Sequence, residues 1–300
     1  MDWVTGIQRA IDYMEDHITE DIDYAAAARQ SCSSEYHFGR VFSILCGMTV
    51  GEYIRCRRLS LAGMALADQK IRVIDAALQY GYDSPDSFTR AFTRFHGITP
   101  SEARANGGPI RSFSRLYVRI SLEGGTIMNY RIEDKPEMVL WGYKRRFTGT
   151  PDDRQQQEAD FFISTRANQY LLKGMARDCD TQYCIITNIG DDGYDFSIAS
   201  QLGTWLTAHL EQELGKDANR FERITVPAGK YLICETERTK YPTMLQEELH
   251  RRAVSEWLPS SDYELADAPE LTVSHWYFDE LHPAVSNQRY VELWLPIRKR

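Results

Sequence analysis

The chain has 300 residues, 43% of them hydrophobic and 26% charged, with a net charge of −8; this is a globular composition with room for two cores, and it excludes fibrous or low-complexity classes. No apolar run approaches the ~20 residues that span a bilayer, and the acidic start MDWVTGIQRAIDYMEDHITEDIDY lacks the basic head and apolar block of a secretion signal, so a cytoplasmic protein with no membrane partner is expected. Six scattered cysteines (32, 46, 56, 179, 184, 234) form no CxxC pair and no metal spacing, so free thiols are expected, with no metal and no cofactor.

The acidic average argues against nucleic acid as a partner, but the charge is uneven. Residues 1–23 carry seven acids and one Arg, whereas residues 24–104 carry ten Lys/Arg against seven acids. The same segment repeats itself at an offset of fifty residues. SEYHFGRVFSILCGMT from Ser34 aligns with SPDSFTRAFTRFHGIT from Ser84, matching Ser34, Phe38, Arg40, Phe42, Gly47 and Thr49 to Ser84, Phe88, Arg90, Phe92, Gly97 and Thr99. Each copy reads as an Ala-rich helix (24–30; 72–79), a short turn and a second helix. Ser33 or Ser34 caps one second helix; Asp83 or Ser84, with Pro85 at the first helical position, caps the other. This is the grammar of a helix-turn-helix, stated twice.

At about 3.6 residues per turn, Phe38, Phe42, Phe88 and Phe92 face inward. Tyr36, His37 and Arg40 then fall largely outside, as do Asp86, Ser87 and Arg90, where short polar side chains and Arg suit the major groove. Between the copies YIRCRRLSLAGMAL reads as one helix whose Arg55, Arg57 and Arg58 either neutralise phosphates or decorate a solvated face.

GEYIRCRRLSLA, the GYDS turn at 81–84 and FTRAFTRFHGITPSEAR together resemble the DNA-binding domain of AraC-type transcription regulators, over roughly residues 5–106. The resemblance implies two helix-turn-helix units bridged by a long helix. It places base-reading positions at Tyr36, Gly39 and Arg40 on the first unit and at Asp86, Ser87 and Arg90 on the second. Gly39 offers no side chain there, and Asp86 either accepts from cytosine N4 or repels phosphate.

ANGGPIRSFSR closes the helical region, which sets an all-α domain over 1–107, a linker over 108–127 that pairs as an extra strand or stays open, and an α+β domain over 128–300. The latter reads as β-α-β-β twice, an antiparallel sheet with helices across it: MNYRIEDKPEMVLWGYKRRF, a helix from Asp152 to Gly174 and a hairpin turning at DDG 191–193; then FERITVPAGKYLICETE, a helix from Met244 to Leu258, LTVSHWYF and RYVELWLPI. The intervening 201–219 is expected to be helical.

In RYVELWLPI, strand alternation puts Tyr290, Glu292 and Trp294 on one face. The acid is either the polar floor of an aromatic pocket or a solvent-side residue of a half-exposed strand. PAGKYLICE, SEWLPSSDYELADAPELTV and YVELWLPI are similar to the gyrase-inhibitor-like effector-binding domain over most of 128–298. That resemblance implies a cleft for hydrophobic, often cationic compounds, with Glu292 as polar contact. Trp141 and Tyr143, across Gly142, and Trp205 are further candidates to line it, and Trp257 is assigned to the core. The reading is a DNA-binding regulator, not an enzyme, with promoter DNA, a small hydrophobic or cationic ligand and RNA polymerase as partners. Two alternatives stand beside it: a hydrolase using Glu292 as general base with His275 or His282 assisting, and a protein-interaction module.

Overall fold

The computed structural model describes residues 3–69, 71–106, 109–118, 128–190, 192–203, 221–276 and 287–300. It divides into two compact units, 1–122 and 123–300.

The first unit is helical: α1 (Trp3–Asp16), α2 (Tyr24–Gln30), α3 (Glu35–Cys46), α4 (Val50–Ala67), α5 (Val73–Gln79), α6 (Pro85–His96) and α7 (Pro100–Asn106). The repeated residues are the ones that start, seat and stop the two second helices. Ser34 Oγ accepts from the His37 amide and Ser84 Oγ from the Ser87 amide, satisfying N–H groups that a helix start leaves bare. Phe38, Phe42, Phe88 and Phe92 are all buried. Gly47 and Gly97 then stop the helices at φ +69° and +80°, in the left-handed region that side chains rarely adopt.

The repeat runs three residues further than the sixteen aligned positions. Thr49 and Glu52 close a reciprocal capping box at the start of α4, and Thr99 and Glu102 close the same box at α7. The two inner turns are not equal: the first spans 31–34 and the second 80–84, one residue longer. Gly81 takes the left-handed conformation in the longer turn, whereas in the shorter one Cys32 does so at φ +55°.

Residues 109–118, expected as part of a linker, are strapped to this helical unit. The amides of Arg111, Phe113, Leu116 and Val118 donate in turn to His96 Nδ1, Ser60 Oγ, Tyr53 Oη and Gln8 Oε1. An extended chain with no strand beside it needs such side-chain acceptors for its backbone donors.

The second unit is built from β1 (Tyr130–Lys135), β2 (Met138–Thr148), α8 (Pro151–Ser164), α9 (Arg166–Met175), β3 (Thr181–Gly190), β4 (Gly193–Ser200), β5 (Glu222–Val226), β6 (Gly229–Glu235), α10 (Gln246–Arg252), β7 (Tyr263–Leu265), β8 (Glu270–His275) and β9 (Tyr290–Lys299). The sheet runs β1-β6-β9-β8-β3-β4-β2-β5, antiparallel at every step, with β7 also pairing to β9. That order is a palindrome of two halves, which is the expected duplication. The expected long first strand of each repeat is instead two strands. Pro136 and Pro227 fall just past the ends of β1 and β5, where a residue without an N–H cannot continue a ladder. The leading arm is handed to the other repeat: β1 pairs with β6, and β5 with β2.

The expected helix 152–174 is likewise broken, at Thr165, whose hydroxyl donates back to the Phe161 carbonyl. One sheet face packs Trp141, Tyr143, Phe147, Phe196 and Ile198 against Phe161 and Leu172 of α8 and α9. The other carries Leu140, Ile185, Tyr231, Ile233, Leu271 and Trp294. The hairpin expected at 191–193 closes where Gly190 pairs with Gly193. Of the expected helix at 201–219, residues 204–219, with Trp205, lie outside the described residues, as does His282.

Candidate functional site

The outward face of α6 carries Asp86, Arg90 and Arg94, all exposed and spaced four apart, so that they stand in one row along the helix. Arg94 was not among the residues expected from sequence; its signal is the four-residue step from Arg90. Ser87 is only half-exposed, and its hydroxyl donates to the Ser84 carbonyl at 2.8 Å, so it closes the helix start. On α3, Tyr36 and Arg40 are half-exposed, and nothing lies within 4 Å of the place a Cβ on Gly39 would take. His37, expected on the outer face, is 2% exposed. It joins Phe38, Val41 and Phe42 in an inward stripe that is wider than the two phenylalanines alone define.

The three arginines of α4 separate sharply. Arg55 is exposed. Arg57 is not a phosphate contact: its guanidinium makes a two-pronged pair with Glu15 at 2.8 and 2.9 Å, donates also to the Phe113 carbonyl, and is 11% exposed. It ties α1, α4 and the strap together, with Tyr53 donating to the same carboxylate at 2.6 Å. Burial acts to raise the Glu15 pKa, and the hydrogen bonds from Arg57 and Tyr53 outweigh it, so the group is held below the usual carboxylate range. Arg58 donates to the Ile18 and Glu20 carbonyls, closing the exposed end of α1 against α4.

In the second unit, β9 is a central strand and everything from Val291 to Ile297 is buried, so the half-exposed strand is ruled out. Glu292 is 6% exposed. One oxygen accepts from Arg131 Nη2 at 2.7 Å and the other from the Trp294 indole N–H at 2.7 Å. Burial alone would raise its pKa; His275, Arg131 and Trp294 outweigh that and hold it at about 2. The His275 Nε2 stands 3.9 Å away, beyond hydrogen-bonding length, so Arg131 and Trp294 supply the direct contacts. Arg131 also binds Glu133 and Glu235.

The rings beside Glu292 hold cations of the protein's own. Lys135 Nζ sits 4.4 Å from the Trp294 ring centre, and the Arg238 guanidinium 4.4 Å from that of Tyr290, which stacks on His275 at 4.3 Å. The chemistry expected of a cation site is therefore present at Glu292, Tyr290 and Trp294, and β1 supplies two of its cations. Arg131, Lys135 and Arg238 were missed because strand pairing, not sequence proximity, delivers them.

Trp141 and Tyr143 do not join this cluster. Register carries Glu292 across to Val273, Tyr183 and Ala199, whereas Trp141 lies opposite Ser200, one residue out of phase and hence on the other face. Both are buried in the core under α8 and α9. Trp257, expected in the core, is half-buried between Tyr130 and Tyr263. On the face of Trp141, between α9 and the approach to α10, lies a cavity of about 640 Å³.

No described helix is long and apolar enough to cross a membrane. Residues 27–106 match a helix-turn-helix domain model, and residues 131–297 match the model of the integron-associated effector binding protein. Over 99 residues the chain is 37% identical to the uncharacterized HTH-type transcriptional regulator YbfP of Bacillus subtilis (strain 168), covering 33% of this chain and 34% of that one, so it spans about a third of that relative's length. Over 98 residues it is 36% identical to the regulatory protein SoxS of Salmonella typhimurium, covering 33% of this chain and 92% of that one. The solved integron cassette protein from the mobile metagenome of Vibrio cholerae is 14% identical, covering 56% of this chain and 95% of that one, with a TM-score of 0.37. The twin helix-turn-helix units and the palindromic sheet thus have their match in sequence: the chain belongs to the AraC-type DNA-binding transcription regulators, with a gyrase-inhibitor-like second half of the integron-associated effector binding protein family.

Proposed function

We propose that this regulator reads promoter DNA through the outward faces of α3 and α6, and that a small hydrophobic cation acting at Glu292 modulates it. The observation that carries the first part is the pair of equivalent arginines, Arg40 and Arg90, on helices with the same cap, the same buried phenylalanines and the same glycine stop. Arg55, exposed on the connecting helix, is assigned to phosphate. RNA polymerase is a further partner of this reading. Fluorescence anisotropy on operator and scrambled duplexes tests it. Arg90→Ala should cost about 1–3 kcal/mol on the operator and far less on scrambled DNA, with Arg40→Ala acting in the same sense. Equal loss on both duplexes would make these residues phosphate contacts.

The ligand part rests on the buried carboxylate with aromatic neighbours that already attract cations. Arg131 acts as the resident cation that a ligand must displace from Glu292. With tetraphenylphosphonium as probe, Glu292→Gln should weaken binding about tenfold, while Arg131→Gln should strengthen it. Unchanged affinity in both variants defeats the assignment. A general-base role for Glu292 is disfavoured, because a carboxyl held at about pKa 2 by Arg131 and Trp294 is a poor proton acceptor near neutral pH.

A further inference from the structure

The cavity of about 640 Å³ lies on the sheet face opposite Glu292 and is within the range of small-molecule sites, roughly 300–1,000 Å³. Its walls are apolar and partly aromatic: Phe162, Leu172, Phe196, Ile198 and Trp276. Its floor is not. Gln182, Ser200, Thr272 and Ser274 reach it from three adjacent strands, β3, β4 and β8, and Gln182 stands directly opposite Ser274. At one end Gln246 Nε2 donates to Thr272 Oγ1 at 2.7 Å. The buried Ser200 and Ser274 side chains take part in no hydrogen bond among the described residues.

Glu158 of α8 lines the same space. Among the described residues nothing pairs with its carboxylate, and burial pushes its pKa up. Three cations also line the cavity, and none of them is paired with Glu158 among the described residues. Arg289 donates to the Trp276 carbonyl at 2.7 Å, Arg166 is exposed to water, and Lys173, whose pKa burial lowers, is partly compensated by Asp180. A partly desolvated acid without a partner facing an apolar chamber favours one kind of occupant, a positive group carried on an apolar body.

We propose that this cavity is a second ligand site, for a compact organic amine whose ring packs against Phe162, Phe196 and Trp276 while its ammonium meets Glu158. The serine hydroxyls and Gln182 on the floor select for polar substituents on that ring. The site is separated from Glu292 by the thickness of the sheet and does not depend on the role given to Glu292 above.

Calorimetric titration of the full chain with tryptamine, and with uncharged 3-methylindole of similar shape, tests this. Saturable tryptamine binding is expected. Glu158→Gln should weaken it about tenfold without affecting 3-methylindole, and Ser274→Leu, which fills the chamber, should abolish binding of both. Circular dichroism melts of each variant check that the fold is kept. Absence of saturable binding by wild type overturns the proposal, as does tryptamine affinity unmoved by Glu158→Gln in a folded protein. Should Glu292→Gln abolish tryptamine binding while Glu158→Gln leaves it intact, the amine sits on the other face, and this proposal falls while the reading of Glu292 stands.

Discussion

Both units are duplications, and they have kept different things. In the helical unit the copies share residues: a serine cap, two buried phenylalanines, an arginine between them, a left-handed glycine and a threonine-glutamate box. In the sheet unit they share topology, with hardly a residue in common. The third strand from one end is β9 and from the other is β4, and each carries an acid paired with an arginine: Glu292 with Arg131 of β1, beyond the adjacent β6, and Asp195 with Arg146 of the adjacent β2. Each acid is the third residue of its strand, but Glu292 is buried, whereas Asp195, 3.3 Å from Arg146, is half-buried. A helix start, a tight interhelical seat and a helix stop each accept only a few residue types. A strand asks only for alternation and tolerable bulk, so its copies drift in sequence while the hydrogen-bond ladder keeps the shape.

If the helical copies are equivalent as scaffolds, Phe42→Ala and Phe92→Ala should each cost about 3–5 kcal/mol in urea unfolding, since both rings are fully buried. A large difference between the two would break the equivalence. The sheet copies should differ under acid. The Glu292 pKa is depressed from 4.5 to about 2, so its contribution of roughly 3 kcal/mol is complete above pH 4.5 and is lost as pH falls toward 2. Melts between pH 6 and pH 2 should therefore show a steep loss that Glu292→Gln flattens, and a loss of the same size in that variant would assign it to other carboxylates. The smallest effect concerns the unequal turns. Cys32 occupies the left-handed conformation that Gly81 occupies in the second copy, so Cys32→Gly should raise stability by about 0.5–1 kcal/mol. No gain, or a loss, would mean that the cysteine side chain compensates for its backbone.

The expectations that held and those that failed differ in how far apart the partners lie. Ser34 and Ser84 act within one helical turn of the amides they cap, and their role was legible. His37 was misplaced because two phenylalanines define the centre of an inward stripe but not its width. Arg57 and Arg58 were read as exposed because their partners, Glu15 on α1 and the carbonyls of Ile18 and Glu20 in the turn after it, are some forty residues away. The same reach explains Trp141 and Tyr143. Alternation tells which neighbours share a face within a strand, but the register between strands decides which faces coincide across a sheet.

From sequence alone came the two helix-turn-helix units, their caps, the duplicated strand-helix pattern and the odd acid in RYVELWLPI, because each is written in local backbone preference and periodicity. Only the tertiary structure decided what that acid meets. Arg131 reaches Glu292 across 161 residues of chain, through two ladders of strand pairing that no local pattern encodes. The same ladders put the aromatic pair Trp141 and Tyr143 on the opposite face, and opened beside Glu158 a chamber that no stretch of sequence announces.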